Sequence, residues 1–141
     1  MAKKRIFISF DYEHDKNYRY LLSALAANSG NDLEFIDVTP TEIQSDDVSK
    51  IKAVLTTKMR NATHTLAIVG AHANSYHPDR QEIGDRNWQW WEIRKSHAEG
   101  KGLIGVKIER SYAAPDPLVN NGTKWAHSFN VDAIIQAVNN A

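Results

Sequence analysis

Ten consecutive residues, Asn87-Trp88-Gln89-Trp90-Trp91-Glu92-Ile93-Arg94-Lys95-Ser96, set one acid among three of the chain's four tryptophans. On a helix Trp88 and Glu92 are i,i+4 neighbours on one face, with Trp91 and Lys95 on an adjacent one. A carboxyl group beside aromatic rings is a residue type that does acid, base or electrostatic work. The same spacing suits indoles that pack as core and an acid that stays in water. Spacing alone leaves both readings open.

Two further groups carry metal-ligating residue types: His72, His77 and Asp79, and His14 with Asp15. Neither has the regular spacing of a ligand set, so no metal is expected. Ser9 lacks the flanking glycines of a nucleophile elbow, and no Ser-His-Asp order can be assigned. The turn Ser9-Phe10-Asp11-Tyr12-Glu13-His14-Asp15 has no glycine to bring backbone against a pyrophosphate, which excludes a Gly-rich dinucleotide fold. No Gly-Lys-Ser/Thr phosphate loop occurs, and Val69-Gly70-Ala71 stands where a phospho-acceptor aspartate would be needed.

The elements that must position these residues fit in 141 residues and 15.9 kDa, one domain over residues 1–141. Lys+Arg and Asp+Glu both number 17, so there is no basic footprint for nucleic acid or a membrane surface. The absence of cysteine excludes disulfides and thiolate chemistry and fits a reducing cytoplasm. The first apolar stretch, residues 6–10, is too short for a signal peptide, and no later run could cross a bilayer. A cytoplasmic, soluble domain is expected.

Short apolar runs alternate with helical stripes. Arg5-Ile6-Phe7-Ile8-Ser9-Phe10 reads as strand one. Tyr18, Leu21, Leu22, Leu25 and Ala26 then form a helical stripe ending near Ser29-Gly30. Leu33-Glu34-Phe35-Ile36-Asp37-Val38 reads as strand two, closed by Thr39-Pro40. Ser45-Asp46-Asp47 caps a helix with the stripe Val48, Ile51, Val54, Leu55, Met59. Leu66-Ala67-Ile68-Val69 is the continuous apolar run of a central strand buried on both faces. Residues 71–86 are too long for a plain connection and predict a functional loop or an extra turn. Asn87 caps a helix over 88–99 that Gly100 stops. Strand four follows over 103–108, a short edge strand near 125–129, and a last helix over 131–139.

This alternation predicts an α/β domain with a five-stranded parallel sheet in the flavodoxin-like order 2-1-3-4-5 and helices on both faces. Phe7, Ile36, Ile68 and Val106 are expected in central core positions. Ligands of such sheets bind beyond the carboxyl ends of strands one and three, which directs attention to the loops after Phe10 and Gly70.

Lys4-Arg5-Ile6-Phe7-Ile8-Ser9-Phe10 resembles the opening strand of TIR domains, and Trp88-x-x-x-Glu92 resembles their WxxxE motif. Asn74-Ser75-Tyr76 is similar to the Ser-x-x-Tyr/Ser segment before it. With Asp11-Tyr12, Trp88 to Ser96, and Gly100-Lys101-Gly102-Leu103-Ile104-Gly105, the pattern resembles the bacterial TIR-like group of Thoeris anti-phage systems. The resemblance runs from strand one to strand four. Asp11-Tyr12 departs from the pair that follows this strand in eukaryotic TIR domains. Residues 39–44, where the BB loop falls, lack the adaptor pattern.

The resemblance implies NAD+ as substrate, not as a retained cofactor, and cleavage of its nicotinamide–ribose bond. It implies Glu92 as the catalytic carboxylate that steadies an oxocarbenium-like ribose, and a cyclic ADP-ribose isomer as product. Phe10, Tyr12 or Trp91 would stack on a base, and Ser9 and Asp11 would hydrogen-bond ribose or carboxamide. The partner that reads the product would be a separate effector chain, and a homo-oligomer is compatible with the sequence. A non-catalytic interaction module, with the aromatic cluster as an assembly surface, is the alternative.

Overall fold

The computed structural model describes residues 4–28, 33–36 and 47–141. Five strands, Lys4–Ser9 (β1), Leu33–Ile36 (β2), His64–Val69 (β3), Gly102–Lys107 (β4) and Lys124–Ala126 (β5), alternate with helices. The helices are Lys16–Asn28 (α1), Val48–Arg60 (α2), the single turn Arg80–Ile83 (α3), Trp88–Ala98 (α4) and Val131–Asn140 (α5). All neighbouring strands are parallel, in the order β2-β1-β3-β4-β5. The α/β class and strand order are those that the apolar runs predict. The helix end at Ser29-Gly30, the continuation of strand two past Ile36, Ser45-Asp46 and the segment 39–44 lie outside the described residues.

Side-chain alternation divides the core in two. Ile6, Ile8, Leu66, Ile68, Ile104 and Val106 point toward α1 and α5 and pack on Leu22, Ile134 and Val138. On the other face Phe7 meets Val48, Ile51, Leu55 and Met59 of α2 and Trp88 of α4. Ala67, Val69 and Leu103 meet Ile93 of α4. Phe7, Ile68 and Val106 are fully buried, as expected of central positions. Ile36 is only half-buried, because β2 is an edge strand with neighbours on one side.

This alternation also places the site. Ser9 falls on the same face as Phe7, so its side chain looks toward α4. That helix starts at the Asn87 cap, whose Oδ1 accepts from Trp90 N at 2.9 Å. The Asn87 Nδ2 donates to the carbonyls of Ala73 (3.0 Å) and Ser75 (2.9 Å), which ties the long connection 71–86 to the helix start. The helix ends before Gly100, whose φ of 74° is left-handed and suits a residue without Cβ. Trp88, Gln89, Trp90, Glu92, Ile93 and Ser96 are all buried, so this helix is covered on most sides and no simple amphipathic stripe marks it.

Candidate functional site

Glu92 is completely buried, with each carboxylate oxygen engaged. Ser9 Oγ donates to Oε1 at 2.8 Å, and the Tyr12 hydroxyl donates to Oε2 in a short hydrogen bond. The carboxyl therefore faces the end of β1 and the loop after it, rather than solvent. Burial pushes its pKa from an ordinary 4.5 up to about 8, against the opposite pull of the Tyr12 and Ser9 hydrogen bonds. Near neutral pH the protonated acid predominates in this closed arrangement.

Beyond the carboxyl ends of β1 and β3 lies a cavity of about 210 Å³. Phe10, Asp11, Tyr12 and His14 line it from the β1 loop, and His72, Tyr76 and His77 from the connection after β3. Trp88 and Gln89 form its wall at the start of α4. The switch-point rule is met in geometry. Phe10 is buried and packs edge-on against Tyr12, ring centroids 4.8 Å apart at 79°. Asp11 shapes the loop: its Oδ1 accepts from Glu13 N at 2.9 Å, His14 N at 3.1 Å and His14 Nδ1 at 3.1 Å.

His14 and His72, assigned by sequence to separate groups, are stacked with centroids 3.8 Å apart. Behind them Asp15 is buried, and its Oδ2 has no hydrogen-bond partner. Burial and the charge of Asp11 push the Asp15 pKa from 3.8 up to about 6, while His14 and His72 pull it down. Gly70 makes the room: a Cβ there would run into the Asp15 carboxyl, 2.8 Å from its Cγ. Among the described residues no group of three His, Asp or Glu side chains could hold a metal ion. Asp79 uses its backbone N–H on His77 Nδ1 at 2.9 Å.

Trp91 is not brought to the cavity with Phe10 and Tyr12. It is half-buried against Trp88, edge-on at 5.7 Å, with Lys52 and Lys95 over its ring. The i,i+3 relationship to Trp88 turns it toward α2 instead. Glu92 also lies outside the cavity lining, on the far side of Tyr12 and Ser9. Of the rings and the acid expected to meet one substrate, Phe10 and Tyr12 line this cavity, whereas Trp91 and Glu92 do not.

Sequence reasoning passed over Gln89. Its Nε2 donates to the carbonyls of Ser9 (3.1 Å) and Ile68 (2.8 Å), clamping the ends of β1 and β3. The available signal was position: a polar residue between two tryptophans, one turn before Glu92. The connection 71–86 also builds a stack that no local pattern marks. The Arg86 guanidinium lies 4.5 Å from the Tyr76 ring and 4.5 Å from that of Trp90. Trp90 Nε1 in turn donates to Ala73 O (3.2 Å) and Asn74 Oδ1 (3.0 Å), which anchors the connection.

Solved structures share this architecture at low identity. A prokaryotic SEFIR domain is 14% identical, with a TM-score of 0.55 over 98% of this chain and 89% of that one. A 2-deoxyribosyltransferase from the psychrotolerant bacterium Bacillus psychrosaccharolyticus is also 14% identical, with a TM-score of 0.57 over 92% of this chain and 90% of that one. At that identity the likeness concerns the fold alone. No curated protein matches the sequence. Residues 7–113, which run from the second half of β1 through the cavity-lining residues and the Glu92 helix, match the family described as Thoeris protein ThsB, TIR-like domain. The chain belongs to that TIR-like family.

Proposed function

We propose that this domain is an NAD+-consuming signalling enzyme of anti-phage defence. It breaks the bond between ribose C1′ and the nicotinamide nitrogen. The bonding electrons leave with neutral nicotinamide, so no general acid is required. The positive charge that develops on the ribose is steadied by the Glu92 carboxylate. An internal nucleophile of the same ADP-ribose then closes on C1′ and gives up its proton, forming a cyclic second messenger for a separate effector protein. NAD+ is consumed and no resident cofactor is involved. The cytoplasm, where NAD+ is available, is the proposed location.

The observation that carries this reading is the Glu92 carboxyl, held by Ser9 and Tyr12 at the sheet's switch point beside a cavity with aromatic walls. In the closed arrangement the acid is covered and largely protonated. Entry of a pyridinium cation favours the ionised form, since an opposite charge lowers a carboxyl pKa. Ser9 and Asp11 are already committed to Glu92 and to the loop, so substrate contact by either involves exchanging those bonds.

Complete burial of Glu92 favours one other reading, a structural acid in a non-catalytic assembly module. The two part on a simple test. Purified chain is incubated with NAD+, alone and with extract of phage-infected cells, and free nicotinamide is measured by chromatography. Release above a no-protein control supports the enzyme. A folded chain that releases none in either condition leaves the module.

A further inference from the structure

The side-chain amide of Gln89 has one orientation that its neighbours accept. Its Nε2 donates to two carbonyl oxygens, Ser9 O and Ile68 O. Turning the amide over would set Oε1 against both, acceptor against acceptors. The Oε1 is therefore left buried with no hydrogen-bond partner, in a residue only 3% exposed. Native interiors keep few such orphans, because an unpaired buried acceptor forfeits its hydration. Gln89 also lines the cavity, next to Phe10, Tyr12 and Trp88. Ser9 links it to the acid: the Ser9 carbonyl holds Gln89, and the Ser9 hydroxyl donates to Glu92 at 2.8 Å.

An acceptor that cannot turn asks for a ligand with an N–H or O–H to give. Aromatic walls ask for a flat ring. We propose that Gln89 selects the base of the substrate, its Oε1 accepting a hydrogen bond from the amide N–H of a carboxamide-bearing aromatic base seated against Phe10, Tyr12 and Trp88. This rests on the NAD+ reading above and adds the residue that recognises the leaving group. Oε1 is covered in this arrangement, so the base reaches it by displacing part of the cavity wall. Gln89 is a specificity residue, separate from the carboxyl that acts on the ribose.

The test varies the ligand before the protein. Binding to the full chain is measured by ligand-observed NMR for NAD+, for the analogue with a 3-acetyl group in place of the carboxamide, and for the thioamide analogue. The acetyl group keeps the carbonyl and the size but has no N–H to donate; the thioamide keeps the N–H donors and nearly the size, with sulfur in place of the carbonyl oxygen. The acetyl analogue is expected to bind at least about tenfold more weakly than NAD+, and the thioamide within about threefold of it. Gln89→Met is expected to bind NAD+ and the acetyl analogue alike. Equal binding of the two by the unaltered chain overturns the proposal, as it would if water satisfies Oε1. Discrimination that survives in Gln89→Met overturns Gln89 as its source. Should that variant not fold, the acetyl and thioamide arms on the unaltered chain decide alone. No binding of any dinucleotide overturns the proposal through the NAD+ reading beneath it, a failure distinct from equal binding.

Discussion

Tyr12 and Glu92, 80 residues apart in sequence, are joined by a hydrogen bond from the phenol to Oε2 of the carboxyl. The ring that forms one wall of the cavity is therefore also the cover of the acid. Cavity and carboxyl lie on opposite sides of this one side chain, and among the described residues Tyr12 is the only cavity-lining aromatic with a hydrogen bond to Glu92. A substrate that acts on Glu92 has to displace this phenol or pass beside it.

Tyr12→Phe removes a donor that favours the ionised acid, so the Glu92 pKa rises further. Any NAD+ turnover that depends on the carboxylate then shifts its rising pH limb to higher pH, while stability falls by about 1 kcal/mol. A pH–rate profile of the folded variant checks this. An unmoved limb would separate Tyr12 from the acid's ionisation.

Stability should carry the signature of Glu92 directly. Its folded pKa, about 8, lies above an ordinary 4.5, so the folded state holds a proton that the unfolded chain releases in between. That contribution is complete below about pH 4.5 and is lost as pH rises to about 8. Asp15 adds the same sign over a lower window, from 3.8 to about 6. Glu92→Gln stays neutral, so its melting temperature should match the parent near pH 4 and exceed it by about 4 °C or more at pH 8.5. Melting curves of both proteins across this range decide it. Parallel curves would mean that the acid is not held neutral by burial.

Much of the architecture was legible because it is written locally. Apolar runs of four to six residues, the Asn87 cap and Gly100 mark elements by propensity and turn chemistry. Ser9 and Glu92 stand out in the sequence through motif spacing and the switch-point rule, and the structure brings the two together. Their mutual hydrogen bond depends on strand alternation and helix phase together. The His14–His72 stack joins two loops far apart in sequence, which no periodicity reports. The sequence offers Trp91 beside Phe10 and Tyr12 as a base-stacking ring because aromatic residues at a helix start read alike; which indole faces which layer is decided by packing on α2. The complete burial of Glu92 was hidden for the same reason, since a helix covered on most sides carries little polar–apolar contrast.

Gly70→Ala should be costly although Gly70 lies in no turn with positive φ. The added methyl meets the Asp15 carboxyl, and the overpacking should destabilise by about 1–3 kcal/mol. The double variant with Asp15→Ala should regain part of that loss. Chemical denaturation of the three proteins provides the comparison. Additive losses would show that the two residues do not compete for the same space.

Asn87→Ala removes a cap bond and two bonds to the connection 71–86 at once. The expected loss is about 2 kcal/mol, more than a cap alone. Limited proteolysis should then cut within 71–86 sooner than in the parent. A variant that loses stability without faster cleavage there would confine the role of Asn87 to the helix.

The most direct measurement compares NAD+ consumption by the parent and by Glu92→Gln under the condition in which the parent is active. The substitution preserves size and hydrogen-bonding capacity and removes the charge that a cationic ribose would feel. If the carboxylate supplies about 3–4 kcal/mol of transition-state stabilisation, nicotinamide release should fall roughly a hundred- to a thousand-fold in a protein that remains folded. A folded Glu92→Gln chain that consumes NAD+ at the parent rate would contradict the catalytic role of Glu92.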